Sequence, residues 1–416
     1  MTFPLAEFLR PATCPACGHH LAAAFFDGGE QPLATIAWPA SAAEAQALPK
    51  LPLDFVRCLD CGHVYNTAFD YAHVPYSDKP NLMFNRAAIW GEHLMSVRDM
   101  ILANLPDAPV VVEIGCGEGH LLRALAQTRP AGRYIGFDPN GSIDTTEGLA
   151  QGQVEAKQEL FDPAIHLAEC RPHLIISRHV LEHLMNPLSF IQQIAFAADW
   201  LKLKTHLFIE TPCIDKVFAS GRIADFYYEH NSHFTTASFT RLLQRAACKI
   251  ESLQHGYNGE VIYALAQIGT DASERTSATQ FAEQAIRFRA GAKQAKATIA
   301  AQLAELNASG KIVAIWGGTG KAAAFINYFG ADAKRFAVVV DSDADKAGTF
   351  VPGAGQKIHY RDYLLDHPAE VILIPTQWRA KDIVGEMVRS GITPQTVLIE
   401  HQGRLVNYHT DTHPYL

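Results

Sequence analysis

The sequence predicts an α/β chain with two doubly wound, mostly parallel sheets and a small metal-binding unit in front of them. Three observations carry this. Apolar β-branched runs alternate with amphipathic stretches from Pro109 onward, and again from Lys311. Such alternation signals parallel strands with helices on both faces. Each alternating block opens on a strand that runs into a glycine-rich turn. Two Cys-x-x-Cys pairs lie upstream of both blocks.

Length and composition agree with this layout. A chain of 416 residues exceeds one ordinary core, so two or three domains are expected. Hydrophobic residues make up 48% and charged residues 19%, which argues against disorder. The formal charge of −8 excludes a globally basic nucleic-acid binder, and no nucleic acid is expected as a partner. No apolar run is long enough to span a bilayer, so no membrane association is expected. The opening "MTFPLAEFLRPATCPAC" has no basic start followed by a long apolar run, so a cytoplasmic location is expected.

In chain order, residues 1–75 read as a loop-rich metal domain holding both cysteine pairs. Residues 76–270 follow as the first α/β unit, entered through helical spacing over 80–105. Its strands are "PVVVEIG", "GRYIGFD", "PHLIISRHV" and "THLFIETP". Residues 271–310 are rich in Ala, Gln, Glu and Lys and read as a long connecting helix stopped by "NASGK". The second α/β unit, 311–416, runs through "KIVAIWGGTGK", "RFAVVVDSD", "EVILIPT" and "QTVLIE".

Cys14, Cys17, Cys58 and Cys61 sit in "CPACGH" and "CLDCGH". Four soft thiolates suit a tetrahedral Zn²⁺, and filling all four positions makes the metal structural. The gap between the pairs has room for a hairpin and a loop. His19, His20 and His63 stand near enough to act as alternative ligands.

"VVVEIGCGEGHLL" runs a buried strand into Glu113, Gly115, Gly117 and Gly119. Glycines let the backbone approach a ligand closely at a helix N-terminus. The next strand ends in Asp138, where a carboxylate can accept both ribose hydroxyls of a nucleoside. The E-x-G-x-G-x-G pattern resembles the first motif of class I methyltransferases, and "IISRHVLEHLMNP" resembles their fourth-strand motif. The resemblance implies S-adenosylmethionine at Glu113, Gly115, Gly117, Gly119 and Asp138, with Ser177 and Arg178 contributing from the fourth strand.

"AIWGGTGKAAAF" is not a Walker A loop, because Ala322 follows Lys321 where Ser or Thr is required. Three readings stay open: a dinucleotide turn with Asp341 ending the next strand, a substrate diphosphate held beside Lys321, and a purely structural turn.

The order of a four-cysteine unit, a methyltransferase core carrying "DFYYEHNSHF" and a last unit with "VVDSDADKAGTFVPG" resembles the sugar C-methyltransferases acting on nucleotide-linked 4-keto-deoxysugars. That family methylates the carbon beside the ketone of a dTDP-linked sugar. The resemblance implies a Tyr-x-Glu-His site at Tyr227, Glu229 and His230, and a second histidine at His183, with His179 as its alternative facing the substrate. Carbon has no lone pair, so the proton beside the ketone must leave first. His230 is expected as base, Tyr227 or Tyr228 as donor to the ketone oxygen, and Glu229 as orienter of the imidazole or ligand of a substrate hydroxyl. All three converge only if the chain turns after Glu229. The segment departs from relatives in reading "EHNSHF", as does "YSDKPNLMFNRAA" upstream, so the sugar itself stays open. Competing expectations are O- or N-methylation of another small metabolite, and a NAD-dependent oxidoreductase built on the second glycine turn.

Overall fold

The computed structural model describes residues 5–36, 38–74, 87–140, 153–268 and 278–416. The strands form three sheets. In the first, β1 (Leu9–Arg10), β2 (Ala22–Gln31), β3 (Leu51–Cys58) and β4 (Val64–Asn66) pair antiparallel in chain order. The β3–β4 hairpin carries the second cysteine knuckle, and the chain before β2 carries the first. A loop and the short helix Ala42–Gln46 fill the gap between β2 and β3.

The second sheet takes β5 (Val110–Ile114), β6 (Arg133–Phe137), β7 (Gln153–Lys157), β8 (Leu174–Arg178) and β9 (His206–Pro212), all parallel. β10 (Ser232–His233) does not join it. That strand leaves the second unit and pairs antiparallel with β4. The second sheet closes with β11 (Cys248–Gly256) and β12 (Val261–Ile268), giving the order β11-β12-β9-β8-β5-β6-β7. Its faces are both buried: Val111, Ile176 and Phe208 pack on one side, Val112, Ile175 and Ile209 on the other. Near-continuous apolar strands are what such two-sided burial requires.

The third sheet has the order β15 (Ile358–Tyr360), β14 (Val338–Asp341), β13 (Val313–Trp316), β16 (Val371–Ile374), β17 (Thr396–His401), β18 (Arg404–Asn407). Only β18 is antiparallel to its neighbour. The two doubly wound sheets expected from the alternating pattern are therefore both present.

The connecting helix is observed over Ala278–Ala308, and the residues expected before it lie outside the described residues. Its apolar stripe, Ala285, Phe288, Ile299 and Leu303, is buried in one core with Phe25 and Phe26 of β2 and Ile315 and Phe325 of the last unit. It therefore seats the third sheet against the first. The helix expected over 80–105 is observed over Ala88–Ala103, and the departure at "YSDKPNLMFN" lies outside the described residues. Among the described residues, no helix is long and apolar enough to cross a membrane.

Candidate functional site

The segment 225–233 lies where the three sheets meet. The main-chain N–H of His230 donates to the carbonyl of Tyr227 at 3.2 Å, closing a turn over Tyr228–Glu229. An extended chain would point Tyr227 and His230 to opposite faces. The turn brings them together, with Tyr227 Oη 3.0 Å from His230 Nε2. Burial first, then the charges of His183, His233 and Lys321, hold the His230 imidazole well below the ordinary histidine range. Burial, then the Glu229 and Glu182 carboxylates, lifts the Tyr227 phenol above its usual range. A neutral imidazole thus faces a protonated phenol.

His183 joins them. Its ring centroid is 4.8 Å from that of His230, and its Nδ1 donates to the main-chain carbonyl of Glu229 at 2.8 Å. One ligand atom each from Glu182, His183 and His230 lies within 4.8 Å of the others.

Four expected side chains have other partners. Tyr228 Oη accepts the main-chain N–H of Asp70 at 2.7 Å, and its ring packs against Phe69, so it braces the segment instead of facing His230. The Glu229 carboxylate does not orient the imidazole. Its Oε1 accepts from Ala34 N at 2.7 Å, Thr35 N at 2.6 Å, Ile36 N at 3.2 Å and Thr35 Oγ1 at 3.1 Å. The turn that brings Tyr227 and His230 together sends Glu229 the other way. His179, the alternative to His183, bridges Glu182 at 3.3 Å and Glu210 at 3.1 Å. Burial would lower its pKa, but hydrogen bonds to both carboxylates outweigh it and push the ring up to about 9. His179 is therefore a cation held by two acids, and its backbone adopts a left-handed φ of 53°. Arg178, expected at the cofactor, places Nε and Nη2 on Glu210 Oε1 at 3.0 and 2.7 Å. Glu210 also takes His93 Nε2 at 2.6 Å, which draws the helix Ala88–Ala103 onto this end of the sheet.

The first glycine turn has the features a nucleoside ligand needs. Gly115, Gly117 and Gly119 all take positive φ, at 71°, 51° and 71°. A Cβ on Gly115 would stand 2.4 Å from Val180 Cγ2, whereas a Cβ on Gly117 would meet only open space. Asp138 turns its carboxylate toward the turn, Oδ2 accepting the Gly117 N–H at 3.0 Å. Glu113 Oε2 and Ser177 Oγ are buried at the same strand ends and have no hydrogen-bond partner among the described residues. Burial pushes the Glu113 carboxyl up to about 7. Two orphaned polar atoms beside an open glycine turn fit the polar, cationic methyl donor expected there.

Lys321 does not present a free charge at the second glycine turn. Its Nζ is 2.5 Å from Asp225 Oδ1 and lies 4.2 Å over the Trp378 ring. Arg222 braces Asp225 from the other side at 3.2 Å and binds Glu260 with two nitrogens. Asp341, the acid a dinucleotide ribose would need, is 3.5 Å from Lys346 Nζ. The Gly320 N–H donates to the carbonyl of Ala34. This arrangement disfavours a dinucleotide at the second turn, which in this structure is engaged in contacts between units.

The four cysteines converge. Cys14 and Cys61 sulfurs are 3.6 Å apart, as are those of Cys17 and Cys58, all four are buried, and none forms a disulfide. Matching turns hold them: Gly18 N to Cys14 O, and Gly62 N to Cys58 O. His19 and His20 are exposed, and His63 Nε2 pairs with Ser232 Oγ at 3.2 Å, so the cluster is built from thiols.

Sequence reading missed Asp225, Glu210, Glu182 and residues 34–36. Glu210 had a signal, since a carboxylate ending an apolar strand is out of place unless partnered. Residues 34–36 had none.

Two known domain families match parts of the chain. Residues 87–253 match the methyltransferase-domain family, and residues 261–395 match the family of C-methyltransferase C-terminal domains. The chain is 22% identical to C-methyltransferase NovU of Streptomyces niveus over 411 residues, 91% of this chain and 93% of that one. Two solved structures are similar. Magnesium protoporphyrin IX methyltransferase of Synechocystis PCC 6803, with bound S-adenosylhomocysteine, is 20% identical over 42% of this chain and 81% of its own, with a TM-score of 0.33. The 1,6-didemethyltoxoflavin-N1-methyltransferase of Burkholderia thailandensis is 16% identical over 44% of this chain and 82% of its own, with a TM-score of 0.34.

Proposed function

We propose that this S-adenosylmethionine-dependent methyltransferase, whose residues 261–395 match the family of C-methyltransferase C-terminal domains, methylates the carbon beside the ketone of a nucleotide-linked 4-keto-deoxysugar, through an enolate that its own side chains generate. The observation that carries this reading is the Tyr227–His230 pair at 3.0 Å. S-adenosylmethionine supplies an electrophilic methyl, and Glu113, Gly117, Asp138 and Ser177 are the groups that would hold it.

Methylating oxygen or nitrogen uses a lone pair already present, whereas carbon needs a base and a partner for the forming enolate oxygen. The Tyr227 phenol and His230 imidazole now share one hydrogen bond. A ketone arriving between them takes the phenol's proton as its hydrogen-bond donor, which frees His230 Nε2 to remove the neighbouring proton. Its depressed pKa keeps the ring unprotonated below ordinary histidine pH, at the cost of weaker basicity, so the reaction leans on the phenol. One such donor is worth roughly 3–4 kcal/mol in the transition state. His183, protonated on Nδ1 by its bond to the Glu229 carbonyl, presents Nε2 as an acceptor for a substrate hydroxyl or amine. The buried thiol cluster would hold a structural Zn²⁺. The same reading divides the chain at about residues 75, 270 and 310 into metal unit, methyltransferase unit, connecting helix and last unit, and places it in the cytoplasm.

Incubation with a dTDP-4-keto-deoxysugar in deuterated water tests the reading. Wild-type protein should wash deuterium into the carbon beside the ketone. His230→Asn should abolish both exchange and methylation, and Tyr227→Phe should slow turnover about a hundredfold, with S-adenosylhomocysteine binding unchanged in both. Full exchange by His230→Asn would remove it from the base role.

A further inference from the structure

We propose that residues 34–36 of the N-terminal unit, with Thr35 at their centre, are a positioning element of the active site: they hold Glu229 so that its main-chain carbonyl fixes the ring of His183. The inference rests on the enolate reading above for its consequence in turnover, and on geometry alone for the contact itself.

Glu229 has two ends with two tasks. Its side chain is fully buried, and Oε1 receives three consecutive main-chain N–H groups and one hydroxyl from residues 34–36. Hydrogen bonds to a buried carboxylate are the strong kind, and removing one partner leaves charge poorly compensated. Its main-chain oxygen, at the other end, accepts from His183 Nδ1 at 2.8 Å. A carbonyl can only accept, so in the neutral ring the proton must sit on Nδ1 and the lone pair on Nε2. Shifting Glu229 by a fraction of an ångström changes that tautomer preference and the direction in which Nε2 points.

The loop is itself held from two sides. The carbonyl of Ala34 accepts the Gly320 N–H at 2.8 Å, from the second glycine turn. Gly320 lies at φ 58° and ψ −130°, a conformation that residues with a Cβ avoid. The carbonyl of Thr35 accepts the Trp38 indole N–H at 2.8 Å. The N-terminal and last units thus both meet the catalytic segment through these three residues. This gives the metal-bearing unit a task in catalysis beyond carrying its own metal. It also explains why the glycine turn is conformationally demanding although Lys321 is occupied by Asp225.

The test uses the full-length protein with Thr35→Val, which removes the hydroxyl at nearly constant shape, and Thr35→Ser, which keeps it. Thr35→Val is expected to lower kcat about tenfold, with the sugar KM and the S-adenosylhomocysteine Kd unchanged, and Thr35→Ser to restore most of the loss. A second arm needs no sugar. Imidazole ¹⁵N shifts of His183, assigned with His183→Gln, should show protonated Nδ1 in wild type and in Thr35→Ser, and a mixture of tautomers in Thr35→Val. Wild-type kcat in Thr35→Val, or an unchanged His183 tautomer there, overturns the proposal. So does a Thr35→Val loss that Thr35→Ser fails to restore. If wild-type protein shows no sugar turnover while His183 responds to Thr35 as expected, the substrate reading fails and the positioning contact stands.

Discussion

His230 and His233 sit three residues apart and start from the same reference pKa, yet the fold uses them differently. His230 meets a phenol. His233 is 3% exposed and packs its ring on Phe55 and Phe226, with centroids 5.3 and 4.7 Å away. Burial, opposed by Asp225 and reinforced by Lys321, pushes its pKa down to about 3. A histidine depressed in the fold takes up a proton on unfolding between pH 6.5 and 3. Its stability contribution is therefore present above pH 6.5 and is lost as pH falls toward 3, at about 1.4 kcal/mol per pH unit. In urea unfolding from pH 6.5 to 4.5, His233→Leu should show a slope shallower by about one proton than wild type. Equal slopes would mean His233 titrates normally. At this scale the sequence was legible where partners are near in the chain. The pairing of Tyr227 with His230 follows from one turn over residues 228–229. Glu229 was misread for the same reason, since its partners lie 193–195 residues away and nothing local announces them.

Among the elements, the strand–turn–helix at β5 is the one whose sequence dictates its geometry most directly. The three glycines are required by positive φ, and Gly115 additionally by the Val180 methyl. Gly115→Ala would combine a left-handed backbone with a 2.4 Å approach to Val180 Cγ2, so the turn must move. The strain is about 1–3 kcal/mol. The expected outcome is a lower melting temperature and at least a tenfold weaker Kd for S-adenosylhomocysteine by calorimetry. Wild-type affinity in Gly115→Ala would take the ligand away from this turn. The strands of both parallel sheets were legible because two-sided burial leaves an unmistakable apolar run. β10 was not. Two residues, Ser232 and His233, carry no periodicity, and their pairing with β4 is a long-range choice.

In the whole molecule, the three sheets are bound together through residues 225–233. β10 makes the four-cysteine sheet continuous with them, Tyr328 Oη donates to the Phe226 carbonyl from the last unit, and Lys321 reaches Asp225. If the four thiols hold the proposed Zn²⁺, a chelator, like Cys58→Ser, should therefore release β4 and with it β10. Turnover is expected to fall at least tenfold while S-adenosylhomocysteine binding at the first glycine turn is retained, measured on the same sample. Retained turnover after complete metal loss would separate the metal unit from catalysis. Composition and spacing made the three units legible, because each has its own pattern. Their convergence on residues 225–233 was not legible, because contacts such as Ala34 to Gly320 depend on how finished units pack.

The proposed function requires this fold to make a carbon nucleophile. It is tested most directly by ¹³C NMR of the product formed from ¹³C-methyl S-adenosylmethionine and a dTDP-4-keto-deoxysugar. The label should appear as a methyl bonded to the ring carbon beside the ketone, with carbon–carbon coupling to that centre. A label resonating as an O-methyl or N-methyl group would contradict it.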